Sequence, residues 1–143
     1  WGASNPQDVG LTGRVSYDDL ARYYATADIF IGPSIVAPGG DTEGQPAAFI
    51  EAMASKTAIV ASDVGGIKDM IEDGKTGLMV PQKDSGQITK AIFRLCKNNA
   101  LKQHLEENGK QHIMKKFRWK AVAKQYMSIY ELIDKDLEPS PPS

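Results

Sequence analysis

Short apolar runs that stop at glycine or proline, each followed by a helical stretch, constrain this 143-residue chain more than any other feature. Asp28-Ile29-Phe30-Ile31-Gly32 is stopped by Pro33, Thr57-Ala58-Ile59-Val60-Ala61-Ser62 is followed by Gly65-Gly66, and Leu78-Met79-Val80 ends at Pro81. Runs this short, with no polar alternation, read as strands covered on both faces, the environment of a parallel sheet between layers of helix. Val9-Gly10-Leu11-Thr12-Gly13 reads as one more short strand at the start. The predicted order is βαβαβαβα, an α/β fold with a Rossmann-like parallel sheet and flanking helices.

The stretches between the runs carry helix signals. Ser16 and Asp19 form a capping box opening a helix, with Leu20, Tyr23, Tyr24 and Ala27 on one apolar stripe. Pro46 suits the first position of a helix over 46–55, where its missing N–H would be unpaired anyway. A further helix is predicted near 67–72, with Asp73-Gly74 as a turn, and Ile88, Ala91, Ile92 and Leu95 mark the next stripe. Two more helices follow, over 101–116 and 119–133. The second sets Trp119, Val122, Ala123, Tyr126, Met127 and Tyr130 on one face, expected to pack on the sheet, with an interaction face as the alternative. One domain over 1–138 and a frayed tail over 139–143 are expected.

Charge excludes some partners. The formal net charge is −1 and the basic residues are scattered, so no nucleic-acid surface is expected. Cys96, alone, forms no internal disulfide and reads as a small buried hydrophobe beside Ile92 and Leu95, which fits a reducing, cytoplasmic setting. Residues 1–15 lack a secretory pattern, and no apolar run approaches the ~20 residues of a membrane span. His104 and His112 lack flanking ligand-type residues, so they read as surface histidines and no metal is expected.

Chemistry is concentrated in residues 38–54, where a Gly-rich loop leaves a predicted strand and enters a helix bearing Glu51. The backbone N–H groups of Gly44, Gln45, Ala47 and Ala48, with the positive end of the helix dipole, suit a diphosphate. Ligands of open parallel sheets bind beyond the carboxyl ends of the strands, where this loop lies. Glu43 precedes the helix and Glu51 follows about two turns on, so the two carboxylates can grip vicinal hydroxyls at either end of one ligand. The plainer alternatives are a loop-surface Glu43 and a solvated Glu51. Against the second, Ala47, Phe49, Ile50, Ala52, Met53 and Ala54 surround Glu51 with apolar residues, and a carboxylate buried among them needs a partner.

These residues bring out a family resemblance. Gly13-Arg14-Val15, Ala27-Asp28-Ile29-Phe30, Pro33-Ser34, Glu43-Gly44 through Glu51-Ala52-Met53-Ala54, Asp63-Val64-Gly65-Gly66-Ile67 and Asp73-Gly74-Lys75-Thr76-Gly77-Leu78 resemble, in order, the glycosyltransferase group 1 family, with its paired glutamates. The resemblance runs from residue 9 to about 133 and implies a GT-B architecture, of which this chain is similar only to the C-terminal, donor-binding domain.

What the resemblance implies is specific. Glu51 would bind the ribose hydroxyls. Glu43 would hold the donor sugar and is the one assignment at the catalytic centre. Gly44, Gln45, Pro46, Ala47 and Ala48 would face sugar and diphosphate. Arg14 would lie beside the base, stacking its guanidinium plane, with a solvated loop arginine as the alternative. Gly65-Gly66 either lets backbone approach a ligand or simply makes a strand-to-helix turn. No cofactor or metal is implied. The nucleoside diphosphate sugar is substrate, and an acceptor-binding N-terminal domain of the parent protein is the expected partner, with room for peripheral membrane contact.

The resemblance also implies an upstream strand-helix segment whose arginine and lysine neutralise the diphosphate. Residues 1–10 are too short to hold it, so this chain alone is expected to be inactive. Lys56 stands where the family has a helix-ending glycine; a left-handed residue there costs about 1–2 kcal/mol, so helix and strand are expected to join differently. The expected activity is retaining transfer of a hexose from a nucleoside diphosphate sugar to an acceptor hydroxyl, in polysaccharide or glycolipid synthesis. The rivals are a GT-B-type sugar-nucleotide epimerase or phosphorylase, and a non-catalytic nucleotide-binding domain.

Overall fold

The computed structural model of the chain describes residues 10–42, 44, 46–118, 123 and 126–128. Three parallel strands, β1 (Ile29–Gly32), β2 (Ala58–Ser62) and β3 (Leu78–Val80), pair in the order β1-β2-β3. Ile29 lies opposite Ala58, and Val60 opposite Leu78. Helices α1 (Tyr17–Thr26), α2 (Ala47–Ala54), α3 (Ile67–Met70), α4 (Ser85–Lys97) and α5 (Asn99–Lys116) accompany the sheet. The fold is therefore α/β and Rossmann-like.

Strand β2 is buried along its whole length. Its side chains alternate between two cores, as strand geometry requires. Ile59 and Ala61 join Phe49, Met53, Ile67, Met70 and Ile113 on one side. Ala58 and Val60 join Leu78, Ala91, Leu95 and Leu105 on the other. Full burial of such a side chain is worth about 1.5–3 kcal/mol, so β2 anchors the layers.

The ends of the elements follow local chemistry. Ser16 caps α1: its Oγ accepts from the Asp19 N–H at 3.2 Å and donates to Asp19 Oδ2 at 2.6 Å. Such a cap contributes about 1 kcal/mol. At the end of α2, the Lys56 N–H donates to the Met53 carbonyl and the Thr57 N–H to the Ala52 carbonyl, both at 3.1 Å. With Lys56 at φ +62, this is a Schellman close. Contrary to expectation, the left-handed close is kept although the residue is lysine and not glycine. The Lys56 ammonium also pairs with Glu107 at 2.6 Å.

Other expectations are corrected. Residues 10–13 form no strand, and Leu11 is 96% exposed, so its apolar side chain has no face to cover it. Strand β1 is half-exposed rather than core, and Tyr23 and Ala27 of the α1 stripe face solvent. Pro46 is the cap of α2, one place before its first helical residue. Helix α3 stops at Met70 because Ile71 turns extended. Cys96 is exposed: it lies at the edge of the α4 stripe whose centre is Ala91 and Leu95. Of the last predicted stripe, Ala123, Tyr126 and Met127 are exposed, not packed on the sheet. Trp119, Val122, Tyr130 and the 139–143 tail lie outside the described residues.

Candidate functional site

The loop from the carboxyl end of β1 to α2 is shaped by close packing at both ends. At its start, the Phe49 ring lies on Gly32, so any side chain at 32 would overlap it. In mid-loop the Ala37 N–H donates to the Asp41 carbonyl at 2.8 Å, with Gly40 at φ +85, and the Val36 N–H donates to Gln82 Oε1 at 3.0 Å. At its end, the Gly44 carbonyl rests on Gly66, where a Cβ would overlap it. Gly66 itself has φ −72, open to any residue, so space and not backbone conformation demands glycine there. Gly65, at φ +51, meets the conformational demand of the turn. Gly65 thus makes the strand-to-helix turn, and Gly66 is where two loops meet.

Helix α2 presents an N-terminus with Pro46 as cap, no side-chain cap bond and no acid in its first turn. Gly44 and Ala47 are exposed, and Pro46 and Ala48 half-buried. The first-turn N–H groups of a helix carry partial positive charge that favours an anion. Glu43 and Gln45, both assigned to this site from the sequence, lie outside the described residues.

Glu51 is half-buried and faces α1. Together with Ala54 and Ser55 it forms one wall of a groove of about 230 Å³, and Tyr17, Leu20 and Tyr24 form the other. Drug-sized ligands occupy pockets of about 300–1,000 Å³, so the groove takes only part of a nucleotide sugar. Burial first, then the neighbouring Glu51 carboxylate, pushes the Tyr24 phenol above its ordinary pKa. Helix α2 is less enclosed than its composition suggests: Phe49, Ala52 and Met53 are buried, but Ala47 is not.

Arg14 is exposed and lines a different depression, with Thr12, Asp19, Arg22 and Tyr23. The structure therefore joins Glu51 to α1 and α2 but does not bring Arg14 into the same groove. Tyr24 was not singled out from the sequence as a site residue. The available signal was a hydroxyl-bearing aromatic on the apolar stripe of the helix that the carboxylate faces.

A larger depression of about 450 Å³ lies at the carboxyl ends of β2 and β3, lined in part by Asp63, Asp73 and Gln82. Its two carboxylates make it a poor match for a diphosphate, compared with the acid-free first turn of α2. Asp63 pairs with Lys68 at 3.1 Å, and Asp73 accepts from the Met79 N–H at 2.8 Å. No group of three or more His, Cys, Asp or Glu suited to a metal occurs among the described residues. His112 is not a surface residue as expected: it is mostly buried, 3.4 Å from Glu72. Burial, then Lys116, holds its pKa below the ordinary value. Among the described residues, no helix is long and apolar enough to cross a membrane.

Comparison with known proteins adds to this geometry. Residues 2–112 match the family described as glycosyl transferases group 1. The chain is 30% identical over 127 residues to phosphatidyl-myo-inositol mannosyltransferase of Mycobacterium leprae, covering 89% of this chain and 32% of that protein. Sucrose-phosphate synthase from Thermosynechococcus elongatus superposes with a TM-score of 0.77 at 30% identity, covering 92% of this chain and 31% of that one. Anabaena HepE in complex with UDP-glucose shares the fold, with a TM-score of 0.69 at 18% identity, covering 79% of this chain and 30% of that one. The chain thus spans about a third of the length of the curated relatives it matches.

Proposed function

The chain belongs to the glycosyl transferases group 1 family, and from that premise we propose that it is the donor-binding part of an enzyme. That enzyme transfers a hexose from a nucleoside diphosphate sugar to an acceptor hydroxyl with retention. The observation that carries this reading is the half-buried Glu51 carboxylate, which lines a groove against α1 and sits about one turn beyond a helix N-terminus that has no side-chain cap bond and no acid in its first turn. A carboxylate accepts two hydrogen bonds from a vicinal diol, and the helix N-terminus favours phosphate.

In this reading Glu51 grips the ribose, and Arg14 stacks on the base beyond the groove. The backbone of Gly44 to Ala48 faces sugar and diphosphate, and Glu43 holds the hexose at the reacting end. The leaving diphosphate takes the acceptor's proton, so no separate carboxylate dyad is needed. The donor is substrate and no cofactor takes part. Support comes from relatives: HepE binds UDP-glucose, and the Mycobacterium leprae relative is named for mannose transfer to a phosphatidylinositol. They favour a nucleotide-sugar donor and glycolipid or polysaccharide synthesis, and a cytoplasmic setting is part of the same proposal. The acceptor is then bound by an N-terminal domain of the parent protein, which also contributes any membrane contact, while the basic pair that neutralises the diphosphate belongs to the upstream strand-helix segment.

Saturation-transfer NMR across UDP-, GDP- and ADP-sugars tests the reading. One nucleotide class is expected to receive saturation, strongest on its ribose protons. Glu51→Ala is expected to lower that affinity about 10- to 100-fold, the worth of charged hydrogen bonds. An unchanged affinity in Glu51→Ala rules out the ribose role.

A further inference from the structure

Tyr24 occupies the wall of the groove opposite Glu51 and is held from two directions. Its ring meets Phe30 edge-on at 5.9 Å, and Phe30 meets Phe49 edge-on at 5.2 Å, so an aromatic train runs from α1 through β1 to α2. Its backbone carbonyl accepts the Thr57 hydroxyl at 2.7 Å, and Thr57 is buried at the start of β2. Tyr24 and Glu51 line this groove from opposite sides, so the fixed ring and the carboxylate border one space.

We propose that Tyr24 is a positioning residue for Glu51: its phenol donates to one carboxylate oxygen and leaves the other for the diol of a bound nucleoside. This rests on the ribose role given to Glu51 above. A glutamate on a helix surface samples many rotamers, and a ligand that must freeze them loses affinity. A donor locked by packing removes that loss before the ligand arrives. An ionised carboxylate accepts about four hydrogen bonds, so one given by Tyr24 still leaves room for two hydroxyls. The phenol's raised pKa, from burial first and then Glu51, keeps it a donor throughout the neutral range.

The test is a double-mutant cycle read by NMR titration on the full chain, with UDP, GDP and ADP and the 2′,3′-dideoxy analogue of whichever binds most tightly. Tyr24→Phe keeps the ring and its edge contacts. It is expected to weaken the ribonucleotide about tenfold, the order of one charge-assisted hydrogen bond, and to leave the dideoxy analogue unchanged. With Glu51→Ala already in place, Tyr24→Phe is expected to add nothing. Equal weakening of both ligands would reduce Tyr24 to a packing role, and no weakening of either would remove the hydrogen bond from function; each outcome overturns the proposal. If Glu51→Ala itself leaves the ribonucleotide unaffected, the ribose reading fails first, and this inference with it. A melting curve for Tyr24→Phe separates loss of binding from loss of fold.

Discussion

The two halves of the molecule are built to different standards. In one, β2 and β3 lie between α4, α5 and the inner faces of α2 and α3, and Ile59, Val60, Ile67, Leu95 and Leu105 are sealed from water. In the other, α1 buries no residue fully, and Ile31 of β1 is 40% exposed. The loop over 33–46 depends there on a few hydrogen bonds and on contacts made by glycines. Glu51, Arg14 and the α2 N-terminus all sit in or beside this thinner half. On the proposed reading, stability is concentrated away from the donor, and the elements that would grip it come from the weakly packed side, as expected of loops and helices that must open. Helix α2 belongs to both halves, with Phe49, Ala52 and Met53 in the core and Glu51 in the groove.

The largest expected effect breaks the comparison if it fails. Ile59→Ala removes a side chain 1% exposed at the centre of the larger core, and is expected to cost about 2–5 kcal/mol in urea unfolding. Leu20→Ala, on the half-buried face of α1, is expected to cost less than about 1 kcal/mol. Equal losses would mean that the α1 side is as tightly built as the β2 side.

A smaller effect sharpens where the halves meet. Gly66→Ala directs a methyl group at the Gly44 carbonyl, and the loop, having few contacts of its own, is the part that moves. A destabilisation of about 1–3 kcal/mol is expected, as for overpacking elsewhere. Weaker nucleotide binding should accompany it, because the displaced residue opens onto the α2 N-terminus. A variant with wild-type melting temperature and wild-type nucleotide affinity would show that the contact between these loops is incidental.

The same contrast explains what the sequence made legible. Strand β2 could be read because it is apolar from Ala58 to Ala61 and is in fact covered on both faces. Residues 10–13 carried a similar signal and are not a strand, since an apolar run becomes one only where neighbours bury it. Cys96 was misjudged from its neighbours Ile92 and Leu95, because a helical position one step beyond a buried leucine is rotated about 100° away from it. The cap at Ser16 was legible, being a matter of two residues three positions apart. The partnership of Tyr24 with Glu51 and the need for glycine at 66 were not, because each depends on a group from another element brought alongside by the fold. Of the predicted site, the half-buried Glu51 was foreseen from its apolar neighbours, whereas nothing in the spacing indicated that Arg14 would line a separate depression.

The smallest effect tests the hinge between the halves, where α2 hands the chain to β2. Lys56 at φ +62 carries a left-handed strain of about 1–2 kcal/mol. It gains in return an ion pair with Glu107 between side chains that are each about half exposed, and such pairs contribute about 0–1 kcal/mol. Lys56→Ala removes the pair and keeps the strain, whereas Lys56→Gly removes both. Glycine also raises the entropy of the unfolded chain, which subtracts about 0.4–1 kcal/mol from its advantage. Lys56→Gly is therefore expected to be more stable than Lys56→Ala by up to about 1 kcal/mol in urea unfolding, with both unchanged in nucleotide binding. If Lys56→Ala were instead the more stable of the two, the left-handed turn would not be strained, and the Schellman close of α2 would hold at no cost to a residue with a side chain.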